Sequence, residues 1–510
     1  MKGRTQSSLL NITTGLIGQA LTLLASFGVR TIFIYELGTT YLGLSGLFGN
    51  ILSILSFTEL GFGQAIIFAL YKPIAEGNED KIGALMALFR RVYRWMFWVV
   101  FILGLSITPF LEYFVKSPVE IPHFHFIYIL YVLSSAASYL FAYKKSLLFA
   151  SQKTYVSTVM SYWFVIGGAV AQVVVLLMWH DFILYLSVQI ATTILQDIAI
   201  ARKTDRFYPF LATHKKSKLP KEEISSIKRN VKALIIYKIG TLSLNSTDNL
   251  IISKFVGLLQ VGFYSNYWLI CTSVNGFLST IFGNITASIG NLNATETDDV
   301  KTQMFFRINM ATFLFYGVSS ICLCTCMTPF ILLWIGEEYV LSPATTFIIA
   351  FNQYIGGMLY SSFNYRQTMG LFVQGKMRPI ISAVLNIVLS IVLAIYFGLP
   401  GVLWGTALTR LATNAWYDPY IVFKRGLKRS PLPYFKDYTI KTVAYCGVCG
   451  LCYYISTLIH MSRVADVLVI FVVTLMVSTV VFFILFGRTA EIRYLYSVVR
   501  NSKSILLAKQ

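Results

Sequence analysis

The chain has 510 residues, of which 56% are hydrophobic and only 13% charged, and its mean hydropathy is +0.67. A soluble domain carries nearer a quarter charged residues, so this composition excludes an ordinary soluble enzyme. The net charge of +20 would suggest nucleic acid in a soluble protein, but here the basic residues fall in short segments between apolar runs, where they set membrane topology.

Apolar stretches of about 20 residues recur from end to end. Each can cross a hydrocarbon core about 30 Å thick as a helix, which satisfies its own backbone polar groups. The first follows Lys2 and Arg4 and runs to Tyr35, too long for a signal-peptide core, so it is expected to be a retained span. Spans are expected at 9–36, 41–71, 92–115, 124–146, 155–179, 182–200, 230–255, 262–289, 304–334, 343–369, 379–397, 401–423, 441–460 and 464–487. The sixth is short and carries Gln189, Gln196 and Asp197. The expected fold class is all-α integral membrane, with about fourteen transmembrane helices.

With the N-terminus inside, the inner segments collect thirty-five basic residues and the outer loops only Lys116, Lys254 and Arg463. Such asymmetry is the positive-inside signature, and it puts both termini in the cytoplasm. The longest polar stretch, Arg202 to Asn230, divides the chain near its middle. The halves resemble one another: LGTTYLG, with Gly38 and Gly43, matches VGLLQVG, with Gly257 and Gly262. Six spans separate the two, so both halves start from the cytoplasm. Two parallel six-helix repeats related by an axis along the membrane normal are expected, with substrate binding between them. The expected organisation is a first six-helix bundle with a basic cytoplasmic linker (1–229), a second bundle (230–440), and two extra helices with a basic tail (441–510).

Ionisable groups at membrane depth cost about 2.5 to 3.5 kcal/mol on insertion scales and so mark pathways. The candidates are Arg30, Glu59, Lys238, Asp248, Arg410 and Asp418. When Gly38 is aligned with Gly257, Arg30 falls opposite Asn249, beside Asp248. Either these charges line a substrate path, or they pair with one another, Arg30 with Asp248 or Glu59, and hold helices together. Asn245, Asn275, Asn352, Gln353, Asn364 and Asn386 are equally open: each could meet a hydroxylated substrate or a neighbouring helix.

No P-loop, hydrolase elbow, zincin helix or kinase signature occurs, and no catalytic residue is expected. Cys446, Cys449 and Cys452 have metal-like spacing. They lie inside a span with no His or acid beside them, which suits helix packing better than a metal.

Three stretches resemble the polysaccharide transport family of the multidrug/oligosaccharidyl-lipid/polysaccharide (MOP) exporter superfamily, the Wzx-type flippases. They are FTELGFGQAIIFALYKPIAEGNEDKI (57–82), STDNLIISKFVGLLQVGFYSNY (246–267), and the run from Gly370 through GKMRPIISAVLN to GLPGVLWGT, ending at Thr406. The resemblance implies a MATE/MurJ-like fold and a bacterial cytoplasmic-membrane protein. It also implies translocation of an undecaprenyl-pyrophosphate-linked oligosaccharide for capsule or exopolysaccharide synthesis. Alternatives are a peptidoglycan or teichoic-type lipid-linked precursor, or cation-coupled drug export. Arg30, Arg410 and Lys238 would neutralise pyrophosphate, which arginine binds bidentately. Asp248 and Glu59 give the cavity mixed charge, and one of them could hold a coupling Na⁺ or proton. Asn245 and Asn249 complete the expected site. The expected partners are the lipid-linked substrate, membrane lipids and polysaccharide-assembly proteins such as a polymerase, with no nucleic acid, no resident cofactor and no metal.

Overall fold

The computed structural model describes residues 2–497 apart from 56–62, most of 64–75, 116–120, 152, most of 214–246, 370 and 372–376. Among the described residues the secondary structure is helical, without a strand. Packing separates two compact units, Met1–Gly262 and Phe263–Gln510.

The first unit contains α1 (Lys2–Leu37), α2 (Thr39–Leu55), α3 (Glu79–Ile107), α4 (Phe124–Ala150), α5 (Thr154–Trp179) and α6 (Phe182–Phe207). It also holds a short helix, Asp248–Ile251, continued by a π-turn over Ile252–Val256. Local chemistry starts these helices. The Asn78 side chain accepts from the Lys81 amide, and Glu79 and Asp80 complement the first turn of α3. Asp181 does the same for α6 through the Leu184 amide. α3 packs on α4, α1 on α5, and α6 on both α4 and α5.

Helix α7 (Leu258–Thr295) begins in the first unit and continues into the second. It is followed by α8 (Asp298–Trp334), α9 (Pro343–Met358), α10 (Tyr360–Thr368), α11 (Arg378–Ala412), α12 (Asn414–Ile421), α13 (Leu432–Ser456) and α14 (Arg463–Phe486). α8 is the central post, packed by α9, α13 and α14. α11 breaks at Gly398 (φ 62°, ψ −136°), two residues before Pro400. Its two arms then pack at backbone distance: a Cβ on Gly401 would lie 2.0 Å from the Leu393 carbonyl oxygen, and one on Gly405 would lie 2.5 Å from Ser390 Oγ. The GLPGVLWGT stretch is therefore the turn of a helical hairpin, as the span boundaries at 397 and 401 anticipated.

Among the described residues, eight helical stretches are long and apolar enough to cross a membrane. Their large apolar side chains point outward: Trp95, Trp98 and Ile102 on α3, Trp163 on α5, Ile395 on α11 and Phe483 on α14 are all exposed. Hydroxyls are buried instead, among them Ser320, Ser361, Ser382 and Ser478. A water-soluble surface does not carry apolar area on that scale, so the chain is a multi-pass membrane protein.

The sequence resemblance between LGTTYLG and VGLLQVG is also a contact. Gly38 (φ 79°) and Gly257 (φ 139°) both turn the backbone through the region that suits glycine. A Cβ on Gly43 would sit 2.2 Å from the Leu258 carbonyl oxygen, and one on Gly262 would sit 2.6 Å from that of Thr39. Each second glycine thus lies against the residue following the other segment's first glycine, a reciprocal pairing inside the first unit.

Candidate functional site

Arg30 lies about two helical turns before the end of α1, half-buried in the first unit. Phe33 and Ile34, at helical spacing from it, are buried and fix that face of α1. The Tyr131 and Tyr185 hydroxyls are within electrostatic range of the guanidinium, and Tyr131 is hydrogen-bonded to Ser45. Rings close the surroundings. Phe33 meets Tyr185 at 5.1 Å and Phe182 at 5.7 Å, Phe182 meets Tyr41 at 4.8 Å, and Phe48 meets Tyr131 at 5.6 Å. The guanidinium on α1 thus has two phenols near it, Tyr131 of α4 and Tyr185 of α6. A guanidinium offers five N–H donors in a planar fork.

Asp248 opens the short helix Asp248–Ile251, which packs against α2. Beside it, Asn249 Nδ2 lies 3.9 Å from where a Cβ on Gly46 would stand. The Asn249 Oδ1 atom is buried and has no hydrogen-bond partner among the described residues, which leaves an acceptor for water or ligand. Glu59, Lys238 and Asn245 lie outside the described residues.

Arg410 belongs to the second unit, on the second arm of α11. It is half-buried, and its Nη1 donates to the Asn352 carbonyl at 3.0 Å. The same Nη1 lies 3.6 Å from where a Cβ on Gly356 would be, so that glycine leaves room for the guanidinium. The Asn352 amide donates to the carbonyls of Leu403 (2.9 Å) and Ile348 (3.1 Å). Asn275 and Gln353 exchange a reciprocal pair of bonds at 2.7 and 2.8 Å. Asn386 donates to Thr406 at 3.0 Å, and Asn364 to the Tyr360 carbonyl at 2.9 Å. Asn275, Asn352, Gln353 and Asn386 are therefore engaged with neighbouring helical segments, and Asn364 with its own helix. Asp418 is likewise structural: it is buried and paired with both Arg366 and Arg378, the latter at 2.5 Å.

Sequence reasoning missed Tyr131 and Tyr185. Both look like two more aromatic residues in aromatic-rich spans, and no local pattern ties them to Arg30. The seven cysteines are free thiols, and among the described residues no group of three or more His, Cys, Asp or Glu could hold a metal.

No family model matches the chain, and no curated protein matches it. Solved structures do. The lipid II flippase MurJ in its inward closed conformation superposes with a TM-score of 0.61 at 14% identity, over 93% of this chain and 100% of that one. An inward-facing multidrug resistance MATE family transporter of the MOP superfamily gives 0.58 at 13% identity, over 78% of this chain and 93% of that one. The Vibrio cholerae MATE transporter VcmN gives 0.55 at 13% identity, over 83% and 99%. The expected MATE/MurJ-like architecture is the one observed.

Proposed function

We propose that the protein is a Wzx-type flippase. It would move an undecaprenyl-pyrophosphate-linked oligosaccharide across the bacterial cytoplasmic membrane by alternating access, for capsule or exopolysaccharide synthesis. The observation that carries this reading is Arg30, a guanidinium near two tyrosine hydroxyls inside a membrane-length helix. A half-buried cation near phenolic hydroxyls suits a pyrophosphate, and the surrounding rings offer faces for sugars. Arg410, in a polar network of the second unit, is assigned to the same anionic group at another stage of transport. Nothing in this chemistry alters the substrate covalently, so the reading is transport and not catalysis. Asp248 is proposed to hold the coupling cation, and a polysaccharide polymerase is the proposed downstream partner.

A second reading, a flippase for a peptidoglycan or teichoic-type precursor, shares the same residues. The coverage of 93% of this chain by MurJ, against 78% and 83% by the MATE proteins, favours a lipid-linked substrate over drug export.

The deciding measurement is the leaflet distribution of lipid-linked oligosaccharides in cells lacking the protein, read with an outer-leaflet probe and mass analysis. One intermediate should accumulate out of reach of the probe while surface polysaccharide disappears, and its mass identifies the substrate. Arg30→Ala should fail to restore transport and Arg30→Lys should restore it partly. A normal leaflet distribution with raised sensitivity to toxic cations would replace this reading with drug export.

A further inference from the structure

The first unit carries a second cationic site, away from Arg30. Where α3 begins and α4 and α6 end, a cavity of about 510 Å³ opens, lined by Arg90, Arg94, Tyr143, Lys144, Asp205 and Tyr208 among others. Arg90 and Arg94 are one helical turn apart on α3, the first half-buried and the second exposed. Both line the cavity together with Tyr143. Asp205, the one acid among the described lining residues, is taken by Lys144 at 2.5 Å. The cavity therefore keeps two guanidinium groups in excess. Lys153 adds a rim of cation–π contacts, 4.8 Å from the Phe207 ring and 4.9 Å from that of Tyr208.

The second unit shows what the equivalent place looks like when it is filled. Helix α8 starts after Thr297 and α3 after Asn78, the same 219-residue interval that separates Gly257 from Gly38. In that register, Met86, which lines the cavity, corresponds to Phe305, and Arg90 to Asn309. Phe305 is buried against Tyr365 (5.1 Å), Phe423 (5.1 Å) and Tyr434 of α13 (5.7 Å). Asn309 donates to Asp437 of the same α13 at 3.1 Å. One of the extra C-terminal helices thus plugs in the second unit the space that stays open, and charged, in the first.

We propose that this cavity is a binding site for a phosphate-bearing anion, the headgroup of an anionic phospholipid or a soluble phosphate, gripped by Arg90 and Arg94. Paired guanidinium groups meet phosphate oxygens with forked donors. The surrounding end of the unit carries the basic segments that the charge asymmetry assigns to the cytoplasm, and basic pockets between helices on that side take lipid headgroups. The site is independent of the transport reading, because it uses no residue assigned to the substrate path.

The test is native mass spectrometry of the full chain released from detergent, titrated with phosphatidylglycerol and, as a neutral control, phosphatidylcholine. The wild type should hold one phosphatidylglycerol selectively, and the double variant Arg90→Ala/Arg94→Ala should bind it about tenfold more weakly, the loss of one set of charge-assisted bonds. Arg90→Lys/Arg94→Lys, which keeps the charge and removes the fork, should lose less and serves should the alanine variant fail to fold. Arg429→Ala, a basic change in the second unit, should bind as wild type. Inorganic phosphate that displaces the lipid through the same arginines, or that alone binds there, identifies a soluble source; phosphate without effect identifies the headgroup. Equal lipid and phosphate binding by the wild type and both double variants overturns the proposal.

Discussion

The two units handle the same ion pair in opposite ways. Lys145 pairs with Asp197 at 2.5 Å in the first, and Arg366 pairs with Asp418 in the second; both partners recur 221 residues further on (145 to 366, 197 to 418). In the first unit the cation is 38% exposed. In the second, Arg366 is joined by Arg378, and all three side chains are at most 6% exposed. The difference follows from what covers each end. Above Asp418 lies an aromatic cluster, Phe305, Tyr365, Phe423 and Tyr434, that excludes water. In the first unit the cationic cavity, lined by Lys144 and Asp205 of the same two helices, stays open. The pair is sealed at both ends in the second unit and open at its cation in the first.

The sealed pair should therefore be the costliest to break. Asp418→Asn leaves two buried guanidinium groups without their counter-charge and should destabilise the protein by about 3–5 kcal/mol. Thermal unfolding of the full chain in detergent, compared with wild type, reads the loss; an unchanged midpoint would mean that water reaches the triad. Tyr434→Ala removes a buried ring from the same cluster and should cost about 3 kcal/mol, measured in the same way.

The glycine pairing is the next test. Gly43→Ala would drive a Cβ to 2.2 Å from the Leu258 carbonyl and should cost about 1–3 kcal/mol by overpacking. Gly49→Ala, on the same helix with nothing within 4 Å of the new Cβ, should be neutral or stabilising by up to about 1 kcal/mol. Equal melting behaviour of the two would dissolve the pairing. Lys145→Gln should cost less than Asp418→Asn, about 1–3 kcal/mol, because Asp197 is buried and loses its partner while the lysine end of the pair is already open. If it proves as damaging as Asp418→Asn, the first unit's pair is sealed too, and the contrast between the ends fails.

The candidate site was legible in part. Arg30 and Arg410 stood out because a guanidinium within an apolar run is rare and costly. Their surroundings did not stand out. Tyr185 is more than 150 residues from Arg30 in the chain, and a tyrosine in an aromatic-rich span carries no label. Asp418 looked the same as any intramembrane acid until packing brought Arg366 and Arg378 to it. Asn275 and Gln353 could have faced a sugar until the fold set them opposite one another. Arg90 and Arg94 were counted as topogenic charge, a role that needs no particular geometry. The cavity that gives them a geometry is made by three helices.

By itself the sequence determined the solvent of this protein and its internal repetition. Hydrocarbon tolerates only self-satisfied backbone, so long apolar runs had to become helices. Glycines at matched intervals marked the repeated turns, because only they adopt those torsions or permit that approach of backbones. Tertiary structure decided what each polar group does. An arginine, aspartate or asparagine inside a membrane must find a partner, and several types of partner satisfy it equally well in composition. Which one it finds depends on helices brought together from distant parts of the chain, and that distance is what separates the phenolic neighbours of Arg30 from the sealed triad of Asp418.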